Sequence, residues 1–216
     1  MLPRQLDPRR WEERTPQPLP TRGWCRTARQ DPITGLVAFP DFNAALPTMI
    51  GECFGAGQSL GLAIGDVDGL KEYVERSRDV DPRAFGHMAG CALMNELGSV
   101  AAQWFDDMPY DAGCVATFGG DEVIVAVRLD RQERSLFPER LGVLRDRMIE
   151  RLPRTVSFGY GVFPHDTVLG ERDDARETAD LMLGSVDQML FREKAAVRAA
   201  GRTVQGFLIT FPVPHG

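Results

Sequence analysis

No apolar run in the sequence approaches the roughly 18 residues that would suggest a membrane-spanning helix. The N-terminus has no apolar core of the kind a signal peptide carries. Cysteine is sparse: Cys25, Cys53, Cys91 and Cys114 are scattered, with no Cys-x-x-Cys spacing among the 4. That argues against a disulfide framework and a structural zinc site, and it fits a reducing cytoplasm. Positive charge is not in excess. The net charge of −6 gives no electrostatic footprint for a nucleic-acid groove. Internal repeats are missing too. At 216 residues the chain is long enough to bury a sizeable core without staples, and it reads as one domain with an arm, or at most two small ones.

What is present first is proline and arginine. Residues 1–30 hold Pro3, Pro8, Pro16, Pro18 and Pro20, with Arg9, Arg10 and Arg14. Proline at this density forbids a regular helix, so an extended or disordered arm is expected. Trp11 and Trp24 are unusual in such a segment, and part of the arm is expected to dock. No sensory domain is expected ahead of the domain at 31–216.

The domain is organised around Phe118-Gly119-Gly120-Asp121-Glu122-Val123. A short apolar run, Cys114 to Phe118, leads into it. A run apolar on both faces, Val123 to Val127, leads out. Two strands around a Gly-Gly turn predict a β-hairpin, with the second strand central and buried. Asp121 and Glu122 sit at the bend. Burying them unpaired would be costly, so they are expected to face solvent or a cation. Ser59 to Gly65 predicts another strand, running into Asp66-Val67-Asp68. If it pairs beside the hairpin, Asp66 converges on the acidic bend. Clustered oxygen ligands suit a hard divalent cation that keeps room for phosphates. Each Asp alone would as readily cap a turn. Asp68 is read as structural, on the opposite strand face from Asp66. His87 and His165 are assigned no chemistry.

These pieces resemble the GGDEF domains, the diguanylate cyclases. Phe118 to Val123 resembles their signature hairpin. Asp66-Val67-Asp68-Gly69-Leu70-Lys71 is similar to DxDxFK, and Asp31-Pro32-Ile33-Thr34-Gly35-Leu36 to the opening DPLTGL. Gly86 to Gly90 resembles GHxxG, and Val156 to Gly161 the late SxG strand. Asp187 to Lys194 resembles ADxALYxAK, and Gly201-Arg202 the closing GR. The pieces keep the family's order from Asp31 to about Phe211. The resemblance implies a palm-like, ferredoxin-related α+β fold and condensation of two GTP into c-di-GMP, with pyrophosphate released. It implies Mg²⁺ or Mn²⁺ held by Asp66, the Val67 carbonyl, Asp121 and Glu122. Asp121 and Glu122 would also serve catalysis, with Lys71 on the phosphates. Leu70, Lys71, Gly119, Gly120, Lys194 and Arg198 would meet the nucleotide. Arg198 keeps the family's spacing from Lys194, whereas Arg202 keeps its motif. One such domain holds one triphosphate, so turnover implies a homodimer. No nucleic acid or membrane partner is implied.

The sequence departs from the pattern at the base. Where the family reads guanine with Asn and Asp, this chain has Val74 and Cys91. Asp79 or Asp81 could substitute. The inhibitory RxxD is missing near Tyr110 to Gly113. Thr117 replaces an Arg, and Ala38-Phe39 replaces Asn-Arg. The alternatives are therefore a degenerate module that binds nucleotide or protein without turnover, or a cyclase of altered base preference. The expected order of elements is helix, strand, helix, hairpin, helix, strand, helix, strand. The first helix is expected to be interrupted at Pro47, and the polar stretch Glu72 to Arg83 to lie outside the helices.

Overall fold

The computed structural model describes residue 6 and residues 18–80, 86–167, 175–199 and 208–210. The chain is an α+β domain built on a mainly antiparallel sheet. In chain order the elements are β1 (Thr21–Arg22), β2 (Val37–Ala38), α1 (Phe39–Gly55), β3 (Ser59–Val67), α2 (Leu70–Val80), α3 (Gly86–Asp107), β4 (Gly113–Gly119), β5 (Glu122–Leu129), α4 (Glu133–Arg151), β6 (Val156–Phe163), α5 (Ala175–Ala199) and β7 (Leu208–Thr210). The sheet order is β1-β4-β5-β3-β6-β7, with β2 beside β4. β5 and β3 are therefore central, as their unbroken apolar runs require. Of the pairings between these strands, β2–β4 and β6–β7 are parallel.

Helices cover both faces. One core packs α3 and α4 on the sheet through Leu93, Leu97, Trp104, Phe105, Phe137 and Leu144. Trp104 satisfies its buried indole N–H on the Arg140 carbonyl at 2.9 Å. The other core packs α1 and α5 through Phe42, Leu46, Met49, Met182, Val186 and Leu190. Alternation along β3 sends Leu62 and Ile64 to the second core and Ala63 and Val67 to the first. Among the described residues no helix is long and apolar enough to cross a membrane.

Three expectations are corrected. First, the polar stretch after Lys71 is helical as far as Val80. Leu70, Tyr73 and Val74 form a narrow apolar stripe that packs on the α3 side, while the charges stay on the wet face. Second, Pro47 lies inside an unbroken α1. A proline withholds the N–H that would bond the carbonyl four residues back, here that of Asn43. The Arg176 guanidinium donates to that carbonyl instead, at 2.9 Å. Third, Asp68 is not on the opposite face from Asp66. Residues two apart on a strand share a face. Asp68 stands in the turn after β3, where its carboxylate accepts from Ser157 at 2.8 Å and Thr155 at 2.7 Å. Its structural role stands, as a brace between the end of β3 and the start of β6.

Within the stretch read as an arm, β1 pairs antiparallel with β4, and Trp24 is buried with its N–H on Glu52 at 2.7 Å. Trp11 lies outside the described residues. The Asp31 turn is closed by its own carboxylate, which accepts from the Thr34 N–H at 2.7 Å and hydroxyl at 2.8 Å. The final strand is seen at Leu208–Thr210, and the rest of 204–211 lies outside the described residues.

Candidate functional site

The sequence places acids at the ends of two central strands, and the sheet register brings them together. β3 and β5 run antiparallel with Asp66 directly opposite Glu122. Directly opposed residues share a face and sit close, so two carboxylates stand side by side at the head of the sheet. Both face the α1–α5 layer. On the other side of β3, Ser157 of β6 is opposite Asp66.

The hairpin that carries Glu122 is held by short local bonds. Gly119 and Gly120 adopt φ of 116° and 76°, a region that disfavours side chains, so the turn requires glycine there. The register shifts between Ala116 and Gly119. Thr117 fixes that irregularity: its hydroxyl donates to the Glu122 carbonyl at 2.7 Å and accepts from the Gly119 N–H at 3.0 Å. The Asp121 carbonyl accepts from the Val67 N–H at 3.1 Å, tying the turn to the end of β3. Phe118 and Phe39 pack ring to ring at 4.2 Å, an aromatic contact beside the turn.

Helix α5 supplies the counter-charge. The Lys194 ammonium is paired with the Asp66 carboxylate. Even so, burial lifts Asp66 above the usual carboxylate range. Lys194 pulls it down, and the charges of Asp121 and Asp68 push it up. Burial also raises Glu122, with repulsion from Asp66, Asp121 and Asp187 added and Lys194 opposing. The head of the sheet thus holds more negative charge than one ammonium balances.

A prediction follows from the sign of the Glu122 shift. A carboxylate raised in the folded state favours folding while protonated. That contribution is complete below the unfolded-state pKa and is lost as pH rises through the folded one. Glu122→Gln should therefore melt at a higher temperature than the natural protein at neutral pH without divalent cation. The gap should close below about pH 4, where Glu122 holds its proton in the folded and the unfolded state alike. Thermal melts at the two pH values check this, and a variant less stable at neutral pH would contradict it.

Of the other expected residues, Leu70 and Lys71 lie on the first turn of α2, with Lys71 exposed. Val74, half-buried, packs against the first core, close to Gly90 of α3. Cys91 follows Gly90 and is half-buried. Met94, one turn further, places its sulfur 3.7 Å from where a Cβ on Gly120 would stand. These residues belong to the α2–α3 layer, and the acids belong to the α1–α5 layer. A ligand touching both would straddle the end of the sheet. Arg198 lies on α5 one turn beyond Lys194, but its side chain lies outside the described residues. So do Arg202, Asp81 and the side chain of Asp79.

Sequence reading missed two contributors. Asp187 acts on Glu122 from two turns before Lys194 on α5, a spacing that signals a shared helix face. Thr117 was noted only for what it replaces. Glu122 and Asp187 also line a shallow groove of about 380 Å³ with Phe39, Phe118 and Leu183. Among the described residues no group of 3 or more His, Cys, Asp or Glu side chains is arranged to hold a metal ion.

No family model matches the chain. A curated protein of Caulobacter vibrioides, described as an uncharacterized signaling protein, is 28% identical over 178 residues, 81% of this chain and 20% of that protein. The chain thus spans about a fifth of that relative's length. Among solved structures, a sensory box/GGDEF family protein from Caulobacter crescentus is 25% identical. The match covers 78% of this chain and 99% of that one, with a TM-score of 0.58. The GGDEF domain of DgcB from Caulobacter crescentus, in complex with c-di-GMP, is 19% identical. It covers 84% and 94%, with a TM-score of 0.61.

Proposed function

We propose that this chain, which has the GGDEF-domain fold, is a Mg²⁺- or Mn²⁺-dependent nucleotidyl cyclase of the diguanylate cyclase type. It condenses two GTP into c-di-GMP and releases pyrophosphate. The observation that carries the reading is the cross-strand pair Asp66 and Glu122, placed beside a Gly-Gly-Asp turn and faced by Lys194. The c-di-GMP in the DgcB complex supports the product class.

The donor set fits a hard cation. Its side-chain donors are all carboxylate oxygens, and two of them suffice for Mg²⁺, which keeps waters and takes substrate phosphates as further ligands. Asp66 and Glu122 would hold it, with Asp121 and the Val67 carbonyl as further oxygen donors. When bound, the cation supplies charge neutralisation at the phosphates. The protein's residues do the rest. Lys194, Lys71 and Arg198 bind the triphosphate. Leu70, Gly119 and Gly120 offer backbone to it. Asp121 or Glu122 accepts the proton of the attacking 3′-hydroxyl, and the raised pKa of Glu122 favours that role for it. Each domain holds one triphosphate, so two copies face each other across a twofold axis during turnover. Incubation with Mg²⁺ and each nucleoside triphosphate in turn tests the reading. Pyrophosphate release supports it, and none with any triphosphate leaves a binding module.

A second reading concerns the base. Val74 packs against the core and against the backbone at Gly90, an apolar environment with no hydrogen-bonding group on that side chain. A pocket that hydrogen-bonds a base edge rejects mismatches strongly, whereas apolar walls discriminate by only about 1–3 kcal/mol per group. Preference for GTP over ATP should therefore be weak, and Val74→Asn with Cys91→Asp should raise it. Calorimetric competition of the two triphosphates on both proteins measures this. A natural protein that already prefers GTP by about a hundredfold would show that other groups read the base.

A further inference from the structure

One pair of side chains outside the acidic site remains unused. Cys25 follows β1 by three residues, and Cys114 lies on β4, directly opposite Thr21. Gly23 bridges to Gly113, and the Pro20 carbonyl accepts from the Val115 N–H at 3.0 Å. These contacts hold Cys25 over the sheet edge. Cys25 packs against the apolar cluster that contains Cys114, and the two thiols interact there. Two further features set Cys25 apart. It has a φ of 53°, and among the described residues no other non-glycine has positive φ. A left-handed conformation is uncommon for such a residue and points to function when the surroundings enforce it. It is also more exposed than Cys114, being half-buried like Cys91 where Cys114 and Cys53 are buried.

We propose that Cys25 and Cys114 form an oxidisable dithiol, with Cys25 the attacking sulfur, Cys114 the resolving one and a peroxide the oxidant. The Cys25 thiolate attacks one peroxide oxygen. The O–O bond breaks, the leaving hydroxide takes a proton to become water, and Cys25 becomes a sulfenic acid. The Cys114 sulfur then attacks the Cys25 sulfur. The S–O bond breaks, and the Cys114 proton leaves with the hydroxyl as a second water. Two thiols have lost two electrons and two protons to the peroxide. Interaction with the Cys114 thiol holds Cys25 below the usual thiol range, which favours the attacking role. Burial pushes Cys53 up to about 12, which keeps it out of the chemistry. The product covalently ties β1 and the Trp24 anchor to the strand that ends in the acidic hairpin. Such reversible disulfides are compatible with a reducing compartment when they are sensors rather than staples.

The test treats the whole protein with a small excess of hydrogen peroxide. Remaining thiols are then blocked with N-ethylmaleimide under denaturing conditions, and peptides are mapped without reduction. The expected result is a Cys25–Cys114 cross-link, with Cys53 and Cys91 alkylated. The thermal midpoint should rise by about 5–10 °C and return on reduction. Cys25→Ser should abolish the cross-link, and Cys91→Ser should leave it intact. Accumulation of sulfinic acid at Cys25 without a cross-link would overturn the proposal. So would a bridge through Cys91, or a link between chains. Because Cys114 is buried and its substitution could disturb folding, the decisive variants are those at Cys25 and Cys91.

Discussion

Asp66→Asn and Glu122→Gln are each expected to lower Mg²⁺-dependent pyrophosphate release by about a hundredfold or more. Both changes keep the shape of the side chain and remove the charge. They sit at the head of the sheet rather than in its core, so the fold should survive. Glu122→Gln should even gain stability at neutral pH, for the reason given by its raised pKa. Loss of turnover together with retained or improved stability separates a working carboxylate from a structural one. Asp66→Asn differs in one respect, because it also leaves Lys194 without its carboxylate partner. Initial rates with saturating GTP, alongside thermal melts, provide the measurement. A variant with natural turnover would remove its residue from the site.

The second large effect is expected on β6, two residues along from Ser157, the residue opposite Asp66. Gly159 of β6 lies under α5 so closely that an added Cβ would stand 2.5 Å from the Val186 carbonyl and 2.7 Å from the Leu190 nitrogen. Both obstacles are helix backbone, which cannot rotate aside as a side chain can. Gly159→Ala must therefore push α5 off the sheet, at a cost of about 3 kcal/mol. The helix carries Lys194 one turn beyond Leu190, so triphosphate affinity should fall as well. Gly184, on the exposed side of the same helix, is the control. Its Cβ would meet nothing within 4 Å, and Gly184→Ala should be neutral or stabilising by up to about 1 kcal/mol. Urea unfolding of the two variants distinguishes them. A Gly159→Ala protein as stable as the natural one would show that the helix is not seated as described.

The hairpin, the central place of β5 and the pairing of β3 beside it were legible because their signals are local. Glycines mark the turn, and β-branched runs mark buried strands. The convergence of Asp66 on Glu122 followed once those strands were paired. Helix α2 was obscured because its stripe of Leu70, Tyr73 and Val74 is narrow and the charges around it dominate the pattern. Pro47 misled for a different reason. The sequence shows the missing N–H, but the guanidinium of Arg176 that satisfies Asn43 comes from 133 positions away in the chain. The error over Asp68 was one of period, since a strand returns to the same face every second residue. Long-range partners such as Lys194 on Asp66, or Cys25 on Cys114, need the fold before they can be seen. The family resemblance anticipated a role for Lys194, but not that it sits on an acid.

The most direct test of the central claim is a crystal structure with Mn²⁺ and a GTP analogue whose α–β bridge cannot be cleaved. An anomalous peak is expected between Asp66 and Glu122, with phosphates at the end of β3 and the Lys194 ammonium moved from Asp66 to a phosphate oxygen. An analogue bound elsewhere, with the Lys194–Asp66 pair intact and no metal between the two carboxylates, would contradict it.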